Sequence, residues 1–360
     1  MREFNSYRFG AGRYIQEEML LEDAGQEFRR FGKKAYLLSG INSWEAVKER
    51  MLPSLEKAEV EWFLNQYQGF PSINSAEKFR AEAEREGCDF IVGVGGGIIM
   101  DLAKMIALPV HIPLMLIPTS TATCAAFSPL SVVYTDEGQC VRAWNFDKEV
   151  DEVLVDEKVL SMQPQRLMAA GIMDAMAKFI EISNGKTEIT LETDSIDKFS
   201  AYSMAKFSYK VLEEYGQQAY QDVGKKQLTT TVHNVIYTTI AVTGVISAMM
   251  RGHRQTALAH KLYDTLRTKY FKESAAHLHG EIVATGLIMQ LSYNHNEKGI
   301  PTLKSYMEQM KMPMNLQELG LDCDEETISD LTEIIEKSGF VEDSDEAREN
   351  LKNAIKEIVV

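Results

Sequence analysis

The feature that most constrains this chain is a change of rhythm near residue 160. Between Lys34 and Asp156, short β-rich apolar runs alternate with helical stretches: KAYLLSG, a helix opening near Ser43, EWFLNQY, SAEKFRAEAEREG, FIVGVGGG and a helix through Ala107, then IPLMLIPT, LSVVYTD and EVLVD. Such alternation predicts a mostly parallel sheet with helices on both faces. After Asp156 the strand signals stop. From Pro164 the pattern is helical nearly to the end, through AAGIMDAMAKFIEI and SAYSMAKFSYKVLEEY to a last helix capped near Asp343 and Ser344, with Asp345 and Glu346 in its first turn. The expected fold is an α/β domain over residues 1–160 followed by an all-α domain over residues 161–360.

A chain of 360 residues has room for two such domains, and their cores need no disulfide or metal staple. Its 45% hydrophobic and 25% charged residues exclude a disordered or fibrous chain. The 38 basic and 53 acidic residues leave a net charge of −15, which repels phosphate backbones and anionic membrane surfaces. Neither nucleic acid nor membrane is an expected partner. Cys88, Cys124, Cys140 and Cys323 form no C-x-x-C motif and read as reduced thiols. The first residues lack the apolar stretch and cleavage site of a secretory signal, so a cytoplasmic location is expected. The apolar run from Val235 to Met250 is interrupted by Thr238, Thr239 and Thr243 and reads as a buried helix.

One local motif carries chemistry by itself. In DFIVGVGGGIIMDLAK a buried strand ends in Gly95, Gly96 and Gly97 and a helix begins at once. Backbone without side chains lets a pyrophosphate approach, and the helix N-terminus offers unpaired N–H groups. The G-x-G-x-x-G template, however, places Ile98 where its third glycine belongs, and a plain strand-to-helix turn is the alternative. Asp101 and Lys104 follow at helical spacing, either as a first-turn acid with a surface partner or as a pair that fixes the cofactor-binding turn.

GVGGGIIMDLAK, IPTSTATCAAFSPLSVVYTDEGQ, AAGIMDAMAKFIE and HGEIVATGLIMQL occur in that order, and together they resemble the iron-containing alcohol dehydrogenase family. Within it they are most similar to the glycerol-dehydrogenase-like branch, on the side of its hydroxycarboxylate dehydrogenases, and the likeness runs from about residue 30 to 300. The resemblance implies a dehydroquinate-synthase-like architecture with the active site in the cleft between the domains. A pyrophosphate would lie over Gly95, Gly96 and Gly97, beside Ile98 and Asp101. Thr119, Ser120, Thr121, Ser128, Leu130, Val132 and Tyr134 would line the nicotinamide side, the alternative being a plain hairpin. One divalent ion, zinc or iron, would sit on Asp174, His260 and His279, a donor set that leaves a coordination position open to polarise a ketone oxygen as hydride arrives. His253 would be an extra ligand at best, and His277 a neighbour. Family members commonly form homo-oligomers, which is expected here on that ground.

Two departures from the family pattern bear on substrate. Cys124 stands where glycerol dehydrogenases carry an Asp that bonds the polyol. A carboxylate there would repel a substrate carboxylate by about 4 kcal/mol at ~4 Å and an effective dielectric of ~20, so its absence permits anions. Tyr263 stands where relatives commonly have a histidine associated with proton transfer; a tyrosine donates a proton less readily. The surrounding RGHRQTALAHKLYDTLRTKYF is bulkier and more basic than the family stretch, and Arg251 or Arg254 would meet a carboxylate if not merely on the surface. KAYLLSGINS offers Ser39, Gly40 and Asn42 and no acid to repel a 2′-phosphate, which favours NADP over NAD. The expected activity is metal-dependent NAD(P)H reduction of small 2-oxo acids to 2-hydroxy acids. The alternatives are a glycerol, polyol or simple alcohol dehydrogenase, a dehydroquinate-synthase-like lyase, and a catalytically degenerate nucleotide-binding protein.

Overall fold

The computed structural model describes residues 9–250 and 255–359. Its first half is built on strands β1 (Arg13–Glu17), β2 (Lys34–Ser39), β3 (Glu61–Gln66), β4 (Phe90–Gly95), β5 (Leu114–Pro118) and β8 (Glu152–Asp156), with helices α1 (Gly25–Phe31), α2 (Ile41–Lys57), α3 (Ile73–Arg85) and α4 (Gly97–Ala107) between them. These strands form one sheet in the order β1-β8-β5-β4-β2-β3, every pair parallel. Strands β6 (Leu130–Tyr134) and β7 (Cys140–Asn145) form a separate antiparallel hairpin with an irregularity between Val133 and Tyr134.

The side-chain period of two explains how the sheet is sealed on both faces. Ala35 and Leu37 of β2, Phe90, Val92 and Val94 of β4, and Met115 and Ile117 of β5 pack with Trp44, Val47, Met51 and Leu55 of α2. Tyr36, Leu38, Ile91, Leu114 and Leu116 face the other way, against α3 and α4.

No described element after Asp156 is a strand. The helices are α5 (Glu157–Ser161), α6 (Gln165–Ile182), α7 (Ile196–Gly224), α8 (Thr230–Tyr237), α9 (Thr243–Met249), α10 (Leu258–Lys269), α11 (Phe271–Ser274), α12 (His279–Tyr293), α13 (Ile300–Gln309), α14 (Glu325–Glu336) and α15 (Asp345–Lys356). The cap of α15 is the one expected: Ser344 Oγ accepts from the Ala347 N–H at 3.1 Å. A π-turn joins α8 to α9. Thr230–Met249 is long and apolar enough to cross a membrane by length and composition, yet 67% of its window is buried inside the protein, where it packs on α6 and α7. The apolar core does not stop at residue 160: Val153 and Val155 of β8 belong to the same buried cluster as Met168, Ile172 and Met176 of α6 and Ile282 and Leu287 of α12.

One expectation needs correction, and two boundaries are new. LSVVYTD does not join the parallel sheet; it is β6 of the hairpin, because its central residues bond to α4 and its free edge is taken by β7. Arg13–Glu17 is a strand that polar RYIQE does not advertise, since its order comes from pairing with β8. The helix expected near Ser43 starts at Ile41, directly after Gly40.

Candidate metal and nucleotide site

Three side chains from three helices converge. Asp174 lies in the middle of α6, His260 in the first turn of α10 and His279 at the first residue of α12. Their ligand atoms all lie within 4.8 Å of one another, with Asp174 Oδ1 3.3 Å from Nε2 of both His260 and His279. Close backbone approach makes this possible. A Cβ on Gly280 would fall 1.9 Å from the Ala170 carbonyl oxygen, so only glycine lets α12 come down on α6 beside His279. Gly171 is equally tight against the Thr121 carbonyl oxygen, also at 1.9 Å, and brings α6 to the loop that carries Cys124.

Glu181 stands behind His260. Its Oε1 accepts the Ala257 and His260 N–H groups at 2.7 and 2.9 Å, and its Oε2 accepts from His260 Nδ1. That bond fixes the tautomer and directs Nε2 toward Asp174, the arrangement that supports a metal-binding imidazole. Burial disfavours charge on His260, but Glu181 outweighs it and raises the imidazole to about 9. Among the described residues His279 has no such partner behind it, and burial lowers it despite the attraction of Asp174. Burial would raise the Asp174 carboxyl, but Lys178, His260 and His279 hold it well below the usual carboxylate range. A buried carboxylate with two imidazoles is a donor set suited to a divalent zinc or iron ion, with a position to spare.

Lys178 and Glu181 escaped the sequence reading. The signal was present: Asp174, Lys178 and Glu181 are spaced i, i+4, i+7 along an otherwise apolar, buried helix, which puts all three on one stripe. Such charges are almost never buried unless paired.

The glycine turn lies at the C-terminal end of β4, where parallel α/β sheets bind ligands. A Cβ on Gly96 would meet only Ser120 Cβ, at 3.9 Å, so an open cradle sits over the N-terminus of α4 and fits a pyrophosphate. Ile98 is exposed beside it. Thr119 N–H bonds the Gly95 carbonyl at 2.9 Å, and Thr119 Oγ1 donates to Ser43 Oγ at 3.0 Å. Ser120 Oγ accepts from Ala122 N–H at 3.1 Å. Thr121 is turned inward: both its N–H and its hydroxyl bond Gln163 Oε1, at 3.0 and 3.2 Å.

Asp101 and Lys104 are not a surface pair; both are buried. Lys104 Nζ lies 3.0 Å from Asp101 Oδ1 and donates to the carbonyls of Ala125 at 2.8 Å, Ser128 at 3.2 Å and Leu130. Asp101 Oδ2 accepts from Val132 N–H at 3.1 Å. The pair therefore clamps the segment with Ser128, Leu130 and Val132, and through it the hairpin, onto α4. Tyr134, at the end of β6, reaches across to α10, where its hydroxyl lies 3.2 Å from that of Tyr263. The Tyr263 ring stands edge-on to His279, with centroids 4.2 Å apart. Cys124 is buried nearby within the fields of Asp174 and Lys178, and burial first, then Asp174, pushes its thiol up to about 11. His277 turns away from the cluster toward Glu281, at 3.6 Å. Arg251, His253 and Arg254 lie outside the described residues.

Residues 11–155 match the family model described as iron-containing alcohol dehydrogenase. That match covers less than half of the chain, which is similar to the family over those residues. It is 29% identical to the glycerol dehydrogenase of Thermotoga maritima over 334 residues, 91% of this chain and 88% of that one. It is likewise 29% identical to hydroxycarboxylate dehydrogenase A of Escherichia coli over 289 residues, 80% and 78% of the two chains. The fold is shared with a probable glycerol dehydrogenase from Sinorhizobium meliloti, at a TM-score of 0.83 and 24% identity over 98% and 97% of the two chains. The relatives are dehydrogenases and reductases acting on alcohol groups, and the chain is an oxidoreductase of that kind; the matched family uses NAD(P) and a divalent metal.

Proposed function

We propose that this enzyme reduces small 2-oxo acids to 2-hydroxy acids, with Asp174, His260 and His279 holding a zinc or iron ion and NADPH favoured over NADH. When bound, the ion supplies Lewis acidity toward a carbonyl oxygen and the nicotinamide supplies hydride. The chain's residues do the rest. Glu181 holds His260 in one tautomer, the turn at Gly96 offers bare backbone to the pyrophosphate, and the Asp101–Lys104 clamp positions the hairpin on the nicotinamide side.

The observation that carries the substrate class is Cys124. A buried thiol, its ionisation pushed up by burial and by the Asp174 charge, stands where a polyol-binding acid is expected in glycerol dehydrogenases, so nothing at that position repels a carboxylate. The preference for NADPH rests on the end of β2. Ser39 Oγ is occupied with the Gly40 and Val94 carbonyls, at 3.0 and 3.2 Å, and Gln66 is its register partner on β3, so no acid stands there to reject a 2′-phosphate. Tyr263, hydrogen-bonded to Tyr134 and packed on His279, offers a hydroxyl for proton transfer.

A second reading, glycerol or polyol oxidation, is favoured by the glycerol dehydrogenases among the relatives. One assay separates them: NADPH and NADH oxidation by metal-loaded protein with pyruvate, 2-oxobutyrate or 2-oxoglutarate, against glycerol with NAD⁺. Oxo-acid turnover that is lost on chelation and in His279→Ala is the expected result. Glycerol oxidation outrunning it would move the assignment to the polyol branch, and nucleotide binding without turnover on any carbonyl would mark a degenerate relative.

A further inference from the structure

The loop from Thr119 to Ser128 belongs to no helix or strand, yet it walls one side of the glycine cradle. Ser120 Cβ is the atom nearest a Cβ built on Gly96, at 3.9 Å, and Thr123 Oγ1 is the nearest to one on Gly97, at 3.2 Å. Both ends of the loop are fixed from the α/β half. Thr119 N–H bonds the Gly95 carbonyl at 2.9 Å, and Lys104 holds the carbonyls of Ala125 and Ser128. In between, among the described residues, residues 120–124 are tied to the rest of the protein through Thr121. Gln163 Oε1 accepts both its N–H, at 3.0 Å, and its hydroxyl, at 3.2 Å, and Met168 Sδ lies 3.7 Å from that hydroxyl. Gln163 stands between α5 and α6 and is itself pinned: Lys226 Nζ donates to the carbonyls of Met162 and Gln163, both at 2.9 Å. Its amide cannot be turned over, because Thr121 presents two donors and the oxygen must meet them. Nε2 is consequently left buried without a partner among the described residues, at a cost in stability. The oxygen is what the position uses.

We infer that Gln163 is a positioning residue for the nucleotide: from the start of the helical half it presets the wall of the cradle through Thr121; this inference rests on the proposed reading of the cradle. An irregular segment left free to move would have to be ordered as the nucleotide arrives, and that ordering cost would come off the affinity. Holding Thr121 in advance removes it. Thr121 then works from behind the wall. It is fully buried, with its N–H and hydroxyl both spent on Gln163, so it aims its neighbours Ser120 and Thr123 at the cradle and touches no ligand itself. The metal-binding side chains are held by other means, His260 by Glu181 and His279 by the close approach of α12 to α6 at Gly280. Loss of the Gln163 oxygen should therefore reach the nucleotide and spare the metal, a separation that a general packing role would not produce.

The test uses zinc-loaded wild type, Gln163→Met, Thr121→Val and the double variant. Binding of NADPH and NADH is read by nucleotide fluorescence, and zinc affinity by competition with a chromophoric chelator. Gln163→Met keeps the length of the side chain and removes the acceptor. Its Kd for the nucleotide that wild type binds more tightly is expected to rise about tenfold, with zinc affinity changed by less than about twofold. Thr121→Val keeps the N–H bond and loses only the hydroxyl, so its Kd should rise about threefold; it carries the test if Gln163→Met does not fold. The double variant should bind the nucleotide no more weakly than Gln163→Met, because the hydroxyl has already lost its acceptor. Fully additive losses in the double variant, or a parallel fall in zinc affinity, would overturn the assignment in favour of a packing role. If wild type binds nucleotide and both single variants match it, the positioning role falls while the cradle stands. Wild type that binds neither nucleotide removes the cradle and the assignment with it.

Discussion

Glu181 shows how much of a site can rest on a residue that touches no substrate. It accepts from the His260 ring and from two backbone N–H groups at the start of α10, so it sets both the imidazole's tautomer and the helix's position. Glu181→Gln keeps acceptor capacity for part of this set but removes the charge that strengthens it. The expected outcome is a folded protein whose zinc affinity is down roughly 10- to 100-fold, measured by competition with a chromophoric chelator. Asp174, His260 and His279 were legible only through family resemblance, because single histidines far apart in sequence carry no spacing signal. Glu181 and Lys178 were legible in principle without it, from their register with Asp174 on a buried helix. A charged stripe on a helix ordinarily marks its solvated face, which hides these two in the sequence.

Among the elements, α4 has the largest mechanical task. It begins at the glycine turn, packs its inner face on β4 and β5, and through Asp101 and Lys104 carries the hairpin on its outer side. Lys104→Met would strand the Asp101 carboxylate and three carbonyls in the interior. We expect a loss of about 3–5 kcal/mol in denaturant unfolding together with weaker NADPH binding in a fluorescence titration. The double variant Asp101→Asn/Lys104→Met should be less destabilised than the sum of the singles, since it leaves no lone charge. The parallel strands could be read from the sequence because strands buried on both faces are continuous apolar runs, as in FIVGVG. The hairpin is hidden for the same reason in reverse. LSVVY has the composition of a sheet strand, and its exclusion follows from tertiary bonds to α4 that no local pattern encodes.

Across the whole molecule, the two halves are joined by one core and by the Tyr134–Tyr263 contact that spans the hairpin and α10. A double-mutant cycle on Tyr134→Phe and Tyr263→Phe should return a coupling of about 1 kcal/mol in unfolding free energy. A cycle that returns none would mean that the hydroxyls do not tie the halves together. At the opposite end of the sheet, Glu152 is buried where β8 meets β1 and β5, with Arg30 at 3.2 Å and Arg13 at 3.8 Å. Burial, aided by Glu27, pushes its carboxyl up from 4.5 to about 7, against the pull of the two arginines. The folded state therefore binds this proton more tightly than the unfolded state does. The group's stabilisation is complete below the unfolded value and is lost as pH rises through the folded one. Glu152→Gln should accordingly melt above wild type at about pH 8, with the gap narrowing toward zero below about pH 4.5, as read by thermal scans across that range. The sheet order has a consequence for how the protein is made. Among the described strands, Arg13–Glu17 is hydrogen-bonded only to Glu152–Asp156, so a strand made early in this stretch of chain must wait for one made much later. At about 5–20 residues per second that delay is on the order of ten seconds, during which a nascent nucleotide-binding sheet has an open edge. A chaperone that captures unpaired strands would find its client in that interval.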